Sequence, residues 1–123
     1  MSIQAVDARR VSFVIDESLR VTTFEPRPGP PERFPGMTAG LVEMERTPPH
    51  GGEMHPDGDE ILIVISGRVS VTGDSAPDAP IELGPGDACV VPKGEWHKVE
   101  VLEPVRLLHM TPGPGGEHRP LEE

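Results

Sequence analysis

Two short segments of the sequence carry histidine and glutamate residues at spacings that suit a metal site. Glu53 and His55 are two residues apart, so their side chains point the same way if this segment is extended. Residues 56–59 (PDGD) form a strong turn signal, and Glu60 opens the next apolar run. The segment therefore predicts three potential ligands that converge from both sides of one hairpin-like connection.

His97 supplies a fourth candidate ligand from the second segment, residues 86–97 (GDACVVPKGEWH). Pro92 ends an apolar run and Gly94 turns the chain, so His97 begins a new strand. Alternation along that strand places His97 on the same apolar, inward face as Val99. A metal site needs three or four such groups on rigid elements, and the two segments together offer four.

The rest of the chain predicts an all-β fold built from short strands. The 16 prolines and 14 glycines interrupt every candidate helix within a turn or two and lie between short apolar runs. Regularly spaced strands of this kind are typical of a sandwich or a barrel. Residues 26–36 read as a proline-rich loop. The predicted strands cover residues 11–16, 19–25, 38–46, 60–65, 67–73, 86–92, 97–103 and 105–110.

The strand at residues 60–65 (EILIVI) is apolar on both faces. Glu60 shares one face with Leu62 and Val64, whereas three isoleucines form the other. A face in contact with water would not carry three isoleucines, so another strand layer or a second subunit should cover it. We therefore expect a homodimer, which would also protect exposed strand edges.

Length and charge limit the possible partners. The 123 residues suit one domain, with a core at about residues 11–110 and a Gly/Pro-rich surface tail at 111–123. The net charge of −10 disfavours binding to nucleic acid or to anionic membranes, so we expect a small-molecule ligand or a second copy of the chain. The single cysteine, Cys89, allows no internal disulfide. With no signal-peptide core and no run of ~20 apolar residues, the sequence predicts a cytoplasmic protein.

The two segments resemble the two motifs of the cupin superfamily, whose fold is a jelly-roll β-barrel (double-stranded β-helix). The first family motif is His-x-His, three or four residues, Glu, six residues and Gly, and its second half is matched by His55, Glu60 and Gly67. The second motif is Gly, five residues, Pro-x-Gly, two residues and His. Its fixed positions are matched by Gly86, Pro92, Gly94 and His97. An Asn that often follows four residues later is Val101 here.

The resemblance implies a metal site with one altered ligand. His55, Glu60 and His97 stand at the family's ligand positions, and Glu53 replaces the first histidine of His-x-His. Two carboxylates neutralise a divalent ion, and their hard oxygen atoms suit Mn²⁺ or Fe²⁺. Zn²⁺ and Ni²⁺ stay open because raw affinity favours the later metals. The alternative is that Glu53 faces solvent and a bulge swings His50 inward to replace it.

Of four further side chains, two have both a functional and a structural interpretation. His109 lines the pocket or packs in the core, and Trp96 covers the pocket mouth or packs beneath a turn. Cys89 is expected to be an inert core residue. His118, in the tail, is expected to have no specific role.

Two functional hypotheses of different classes follow from this sequence. The first is a metal-dependent cupin that binds a small organic molecule and transforms it by dioxygenase-type or isomerase-type chemistry, as members of the superfamily do. The second is a non-catalytic binding or structural cupin without metal, which the lost first histidine favours. Because one fold hosts many chemistries, the sequence leaves open whether the protein is an enzyme, what its substrate is and which metal it binds.

Overall fold

The computed structural model describes residues 2–121, and these form nine antiparallel strands. No helix occurs between residues 2 and 121, so none there is long and apolar enough to cross a membrane. The strands are β1 (Ser12–Ile15), β2 (Val21–Phe24), β3 (Gly36–Met44), β4 (Gly52–Met54), β5 (Glu60–Gly73), β6 (Ile81–Leu83), β7 (Ala88–Val91), β8 (His97–Gly113) and β9 (Glu117–Arg119).

The long strands β5 and β8 organise the sheet. β8 pairs with β5 over most of its length, with β3 through its second half and with β4 at its first residue, His97. β5 also pairs with β6 and β7, and β3 continues the sheet through β1 to β2. The all-β prediction is confirmed, and the arrangement agrees with the barrel expected from the sequence.

A bulge explains why β5 is one strand where the sequence predicted two. The pairing register between β5 and β8 shifts around Ser66–Arg68. Gly67 has a φ of +83°, and a Cβ there would collide with the backbone of Pro104 and Val105 in β8. Pro104 has no N–H for the ladder, so it lies where the pairing is already broken. The chain bends at this point without ending either strand.

The predicted alternation of β5 is confirmed on its inner face. Leu62 and Val64 are 6% and 1% exposed, and they form the core with apolar residues of β6, β7 and β8. On the outer face, Ile61 and Ile63 are half-buried and Ile65 is 46% exposed. Within one chain the isoleucine face is therefore only partly covered.

The C-terminal segment is more structured than expected. β8 continues to Gly113, and β9 pairs with β4 where a surface tail was predicted. Arg119 fixes β9: its guanidinium binds both carboxylate oxygens of Asp74 at 2.6 and 2.9 Å and lies 4.6 Å from the centre of the Trp96 ring. These contacts hold the end of the described chain against the barrel.

Candidate metal centre

Three buried side chains meet at one end of the barrel. His55, Glu60 and His97 are 2%, 5% and 4% exposed, and one potential ligand atom of each lies within 4.8 Å of the others. Glu60 Oε1 is 3.0 Å from His97 Nε2, and Glu60 Oε2 is 3.3 Å from His55 Nε2. The donor set of two imidazoles and one carboxylate suits a first-row divalent ion.

Two turns hold these three residues in place. His55 follows β4 and precedes the turn to β5, while His97 begins β8 after the turn from β7. The two turns are tied together, since Gly94 N–H donates to the His55 carbonyl at 3.0 Å and Lys93 N–H donates to Asp59 Oδ1 at 2.7 Å. Gly94 has a φ of +79°, which explains the glycine at that position.

Glu60 is bound on both of its oxygens. Thr111 donates its hydroxyl hydrogen to Glu60 Oε2 at 2.6 Å. Because that hydrogen is used, the Thr111 oxygen accepts the hydrogen of His109 Nδ1 at 2.8 Å. Burial by itself raises the pKa of the Glu60 carboxyl, but the imidazoles of His55 and His97 and the Thr111 hydroxyl outweigh it. The pKa of Glu60 therefore lies well below its ordinary value, and the group is an anion at neutral pH.

His55 and His97 differ in their hydrogen bonds. His97 Nδ1–H donates to the Glu95 carbonyl at 3.2 Å, which orients Nε2 toward Glu60. Burial lowers the pKa of His97, but the hydrogen bond with Glu60 and its charge outweigh burial and leave the pKa raised. Neither nitrogen of His55 has a hydrogen-bond partner among the described residues. A buried imidazole nitrogen without a hydrogen bond is costly, and an ion among these three side chains would satisfy Nε2, which lies 3.3 Å from Glu60 Oε2.

A second group lies next to the first and nearer to solvent. Glu53 Oε1 is 3.5 Å from His50 Nε2, and Glu53 Oε2 is 3.7 Å from His118 Nε2 and 3.8 Å from His55 Nε2. His50 Nδ1 accepts the Gly52 N–H at 3.2 Å, and His118 Nδ1 accepts from Arg33 at 3.0 Å. In their neutral forms both rings therefore carry the proton on Nε2 and present it to Glu53. Burial lowers the pKa of His118, which favours this neutral form.

Both groups line one cavity of about 270 Å³. Its floor holds His55, Glu60 and His97, and its inner wall is apolar, with Val42, Met44, Leu62, Val99 and Leu107. His109 also lines it, and burial lowers the pKa of that imidazole. The volume is slightly below the usual range for drug-sized ligands, so the cavity suits a smaller molecule.

Glu53, His50 and His109 line the cavity, as the sequence analysis considered, but Trp96 does not. Trp96 precedes the inward-facing His97 by one residue, so alternation turns its side chain outward, where it lies beneath Arg119. Of the two interpretations of Trp96, a place at the pocket mouth has no support from the residues that line this cavity. Cys89 packs against the core, and burial raises the pKa of its thiol, with a further contribution from the Glu60 charge.

Sequence reasoning missed three cavity residues. His118 was expected to have no specific role, Arg33 lay in an unassigned loop, and Thr111 was placed in the tail. The pairing of β9 with β4 sets Glu53 opposite His118. No periodicity near His118 signals that pairing, because three residues between glycine and proline are too few to show one.

Comparisons with known proteins agree with this architecture. The family model described as the cupin domain matches residues 41–111. No curated protein matches the sequence. Among solved structures, a cupin-2 domain-containing protein from Shewanella frigidimarina is 30% identical, with a TM-score of 0.50 over 63% of this chain and 71% of that one.

Two enzymes of known structure share the fold at lower identity. They are the DMSP lyase DddQ from Ruegeria pomeroyi and a mutant of oxalate decarboxylase from Bacillus subtilis. Each is 24% identical with a TM-score of 0.56, over 66% and 67% of this chain but only 42% and 23% of the respective enzyme chain. At this identity the likeness concerns the fold alone. The family match covers more than half of the sequence, and the chain belongs to the cupin family.

Proposed function

We propose that this cupin binds a divalent metal ion through His55, Glu60 and His97, with Glu53 as the fourth protein ligand. The observation that carries the proposal is the convergence of three buried donor groups within 4.8 Å, one of them an imidazole with both nitrogens unsatisfied among residues 2–121. Structural and catalytic metal sites in proteins are built from such groups on rigid elements.

Glu53 differs from the other three ligands in its surroundings. Its side chain is 34% exposed, and its carboxylate contacts His50 and His118 as well as His55. It would therefore be the most exchangeable of the four ligands. When it is not bound to the ion, Glu53 would serve as a proton acceptor at the side of the cavity, held by the Nε2–H groups of His50 and His118.

We further propose that the cavity is the site of a metal-dependent reaction on a small organic molecule, of the oxidoreductase or isomerase type. The ion would supply a Lewis acid that polarises a substrate oxygen. The apolar wall would hold the substrate and exclude water, while Thr111, held by His109, would orient Glu60. The exclusion of water strengthens electrostatic interactions at the reacting atoms.

One observation favours the alternative, a binding cupin without metal. Glu60 and His97 contact each other at 3.0 Å, and the charges of an imidazolium and a carboxylate compensate each other without an ion. Elemental analysis of protein purified without added metal tests the choice. Close to one equivalent of a first-row metal supports the proposal, and a metal-free protein that also fails to take up Mn²⁺, Fe²⁺, Zn²⁺ or Ni²⁺ supports the binding cupin.

We also propose that the protein is a homodimer in the cytoplasm, with the isoleucine face of β5 at the interface. The support is the apolar strip formed by Ile61, Ile65 and Val90, since Val90 lies directly opposite Ile61 and is 63% exposed. Such a strip on an isolated chain is typical of a surface that another protein copy covers.

A further inference from the structure

Arg33 places a positive charge at the cavity that holds the proposed metal ligands. It lies in the loop between β2 and β3, and its side chain lines the cavity together with Phe34. One of its N–H groups donates to His118 Nδ1 at 3.0 Å. A guanidinium has five N–H donors. This N–H is the one Arg33 donor that forms a hydrogen bond within the described residues.

Arg33 combines a place in this cavity with the lack of a carboxylate partner. The chain has 21 acidic residues against 11 Lys and Arg, and several of its arginines form ion pairs, for example Arg106 with Glu43 at 2.6 Å and Arg68 with Glu82 at 2.9 Å. Other arginines without an ion pair among the described residues, such as Arg27 and Arg46, are exposed and do not line this cavity. Between residues 2 and 121, no carboxylate lies within ion-pair distance of Arg33.

The two carboxylates deeper in the cavity are already occupied by imidazoles. Glu60 contacts His55 and His97, while Glu53 contacts His50 and His118. These contacts leave Arg33 as the cation at this cavity without an anion. A guanidinium binds a carboxylate through two parallel hydrogen bonds, an arrangement that a lysine does not reproduce.

Gly116 keeps space for this guanidinium. A Cβ on Gly116 would collide with Arg33 Nη1 and would lie 3.2 Å from His55 Nδ1. Arg33 and His55 therefore approach the same glycine of the segment between β8 and β9. The apolar inner wall lies in the same cavity, so one small molecule can contact Arg33 with a charged end and the wall with an apolar end.

We propose that the ligand of this cavity is a small organic acid, with its carboxylate on Arg33 and its apolar part against Val42, Leu62 and Leu107. This inference rests on the proposed function because it assigns the substrate class of the same cavity. It does not depend on the metal, since Arg33 recognises the acid without it.

Equilibrium binding of hexanoate and hexanamide to chelator-treated protein, measured by calorimetry, tests the proposal. The two probes match in size and differ in charge. We expect hexanoate to bind about 10-fold or more tightly than hexanamide, as a charge-assisted hydrogen bond implies. Arg33→Gln should abolish that preference, and Arg33→Lys should keep only part of it. Arg27→Gln is the matched control, because Arg27 is exposed, lies in the same loop and does not line this cavity.

A second variant guards against a folding defect in Arg33→Gln. Gly116→Ala should displace the guanidinium and weaken hexanoate binding while leaving hexanamide binding unchanged. Equal affinity for the two probes in the parent protein, or an unchanged preference in Arg33→Gln, would overturn the proposal. Metal content and metal uptake are measured separately, so a protein that is purified without metal, takes up none of the four ions and keeps the Arg33-dependent preference refutes the metal proposal and supports this one.

Discussion

The Thr111 hydroxyl donates a hydrogen bond of 2.6 Å to Glu60 Oε2, which joins the end of β8 to the first residue of β5. Fifty-one positions separate these two residues along the chain. The same hydroxyl accepts from His109 Nδ1, so one threonine satisfies a buried carboxylate and a buried imidazole. The orientation of the central carboxylate is thus set by a residue near the end of β8 that lies outside both family motifs.

Thr111→Val should lower the free energy of unfolding by about 1–3 kcal/mol. The valine keeps the shape of the side chain but leaves Glu60 Oε2 and His109 Nδ1 without their shared partner, which costs their desolvation. Urea denaturation of chelator-treated protein measures the difference. Thr22→Val, on the exposed strand β2, is the control and should change the stability little. Equal stability of the two variants would show that water or another group replaces the hydroxyl.

Chelation should lower the melting temperature. A ligand that binds only the native state stabilises it by about 2.7 kcal/mol at a hundredfold excess over Kd. For a domain of this size, that corresponds to a shift of roughly 5–15 °C. Thermal unfolding monitored by circular dichroism, with and without chelator, checks this. An unchanged melting temperature would favour the cupin without metal.

The effect of the chelator should be larger at about pH 8 than at about pH 6. In the metal-free protein the pKa of His97 is raised, so its pairing with Glu60 stabilises the fold below the unfolded value of 6.5 and is lost as the pH rises through the folded pKa. The pKa of Glu60 is lowered, so the stability it contributes is present above the ordinary value of 4.5 and is lost progressively as the pH falls below it. Metal binding requires neutral imidazoles, so the affinity for the metal increases as the pH rises.

Melting curves over this pH range test both trends at once. The metal-free protein should become less stable as the pH rises above 6.5, while the difference between metal-bound and metal-free protein increases. The lowered pKa of His109, caused by burial, destabilises the fold as the pH falls below 6.5, which is opposite in direction to the effect of His97. A chelator effect that shrinks with rising pH would contradict the assignment of imidazole ligands.

Glu53→Gln should reduce the content of hard ions such as Mn²⁺ more than that of Zn²⁺ or Ni²⁺, because it removes an anionic oxygen donor. His55→Ala and His97→Ala should each reduce the metal content more than Glu53→Gln does, since each removes one of the three buried proposed ligands. Glu53→His should move the preference toward Ni²⁺ or Zn²⁺. Elemental analysis after reconstitution with each ion gives these values.

His50→Ala is the control for the fourth ligand. His50 Nδ1 is occupied by the Gly52 N–H, and its Nε2 faces Glu53, so we expect normal metal content. Normal metal in Glu53→Gln together with loss in His50→Ala would identify His50 as the fourth ligand instead of Glu53.

The protein should be a dimer at micromolar concentration by light scattering, and Val90→Lys should shift it toward the monomer. The lysine would place a charge opposite Ile61 in the apolar strip on β5 and β7. Ile81→Lys is the matched control, because Ile81 is similarly exposed at 55% but lies on β6. A monomeric parent protein would refute the dimer outright, and equal effects of the two substitutions would place the interface elsewhere.

Local patterns were enough to predict the inner face of β5 and the identity of the buried donor groups. Alternation along an extended strand is local, so the face shared by Glu60, Leu62 and Val64 follows from their spacing alone. Local turn signals likewise put Gly94 before the strand that begins at His97. The sequence did not predict that separate strands merge into β5 and β8. A bulge at Gly67 opposite Pro104 interrupts the apolar alternation without ending either strand.

The surroundings of Glu53 depend on contacts between segments that are distant along the chain. His118 reaches it because β9 pairs with β4, and Arg33 reaches His118 from a loop 85 positions earlier. Pairings between distant segments depend on how the whole barrel closes, and no short pattern near any of these residues encodes that closure. The contact of Arg119 with the Trp96 ring depends on distant pairing in the same way, whereas the outward side of Trp96 follows locally from its place beside His97.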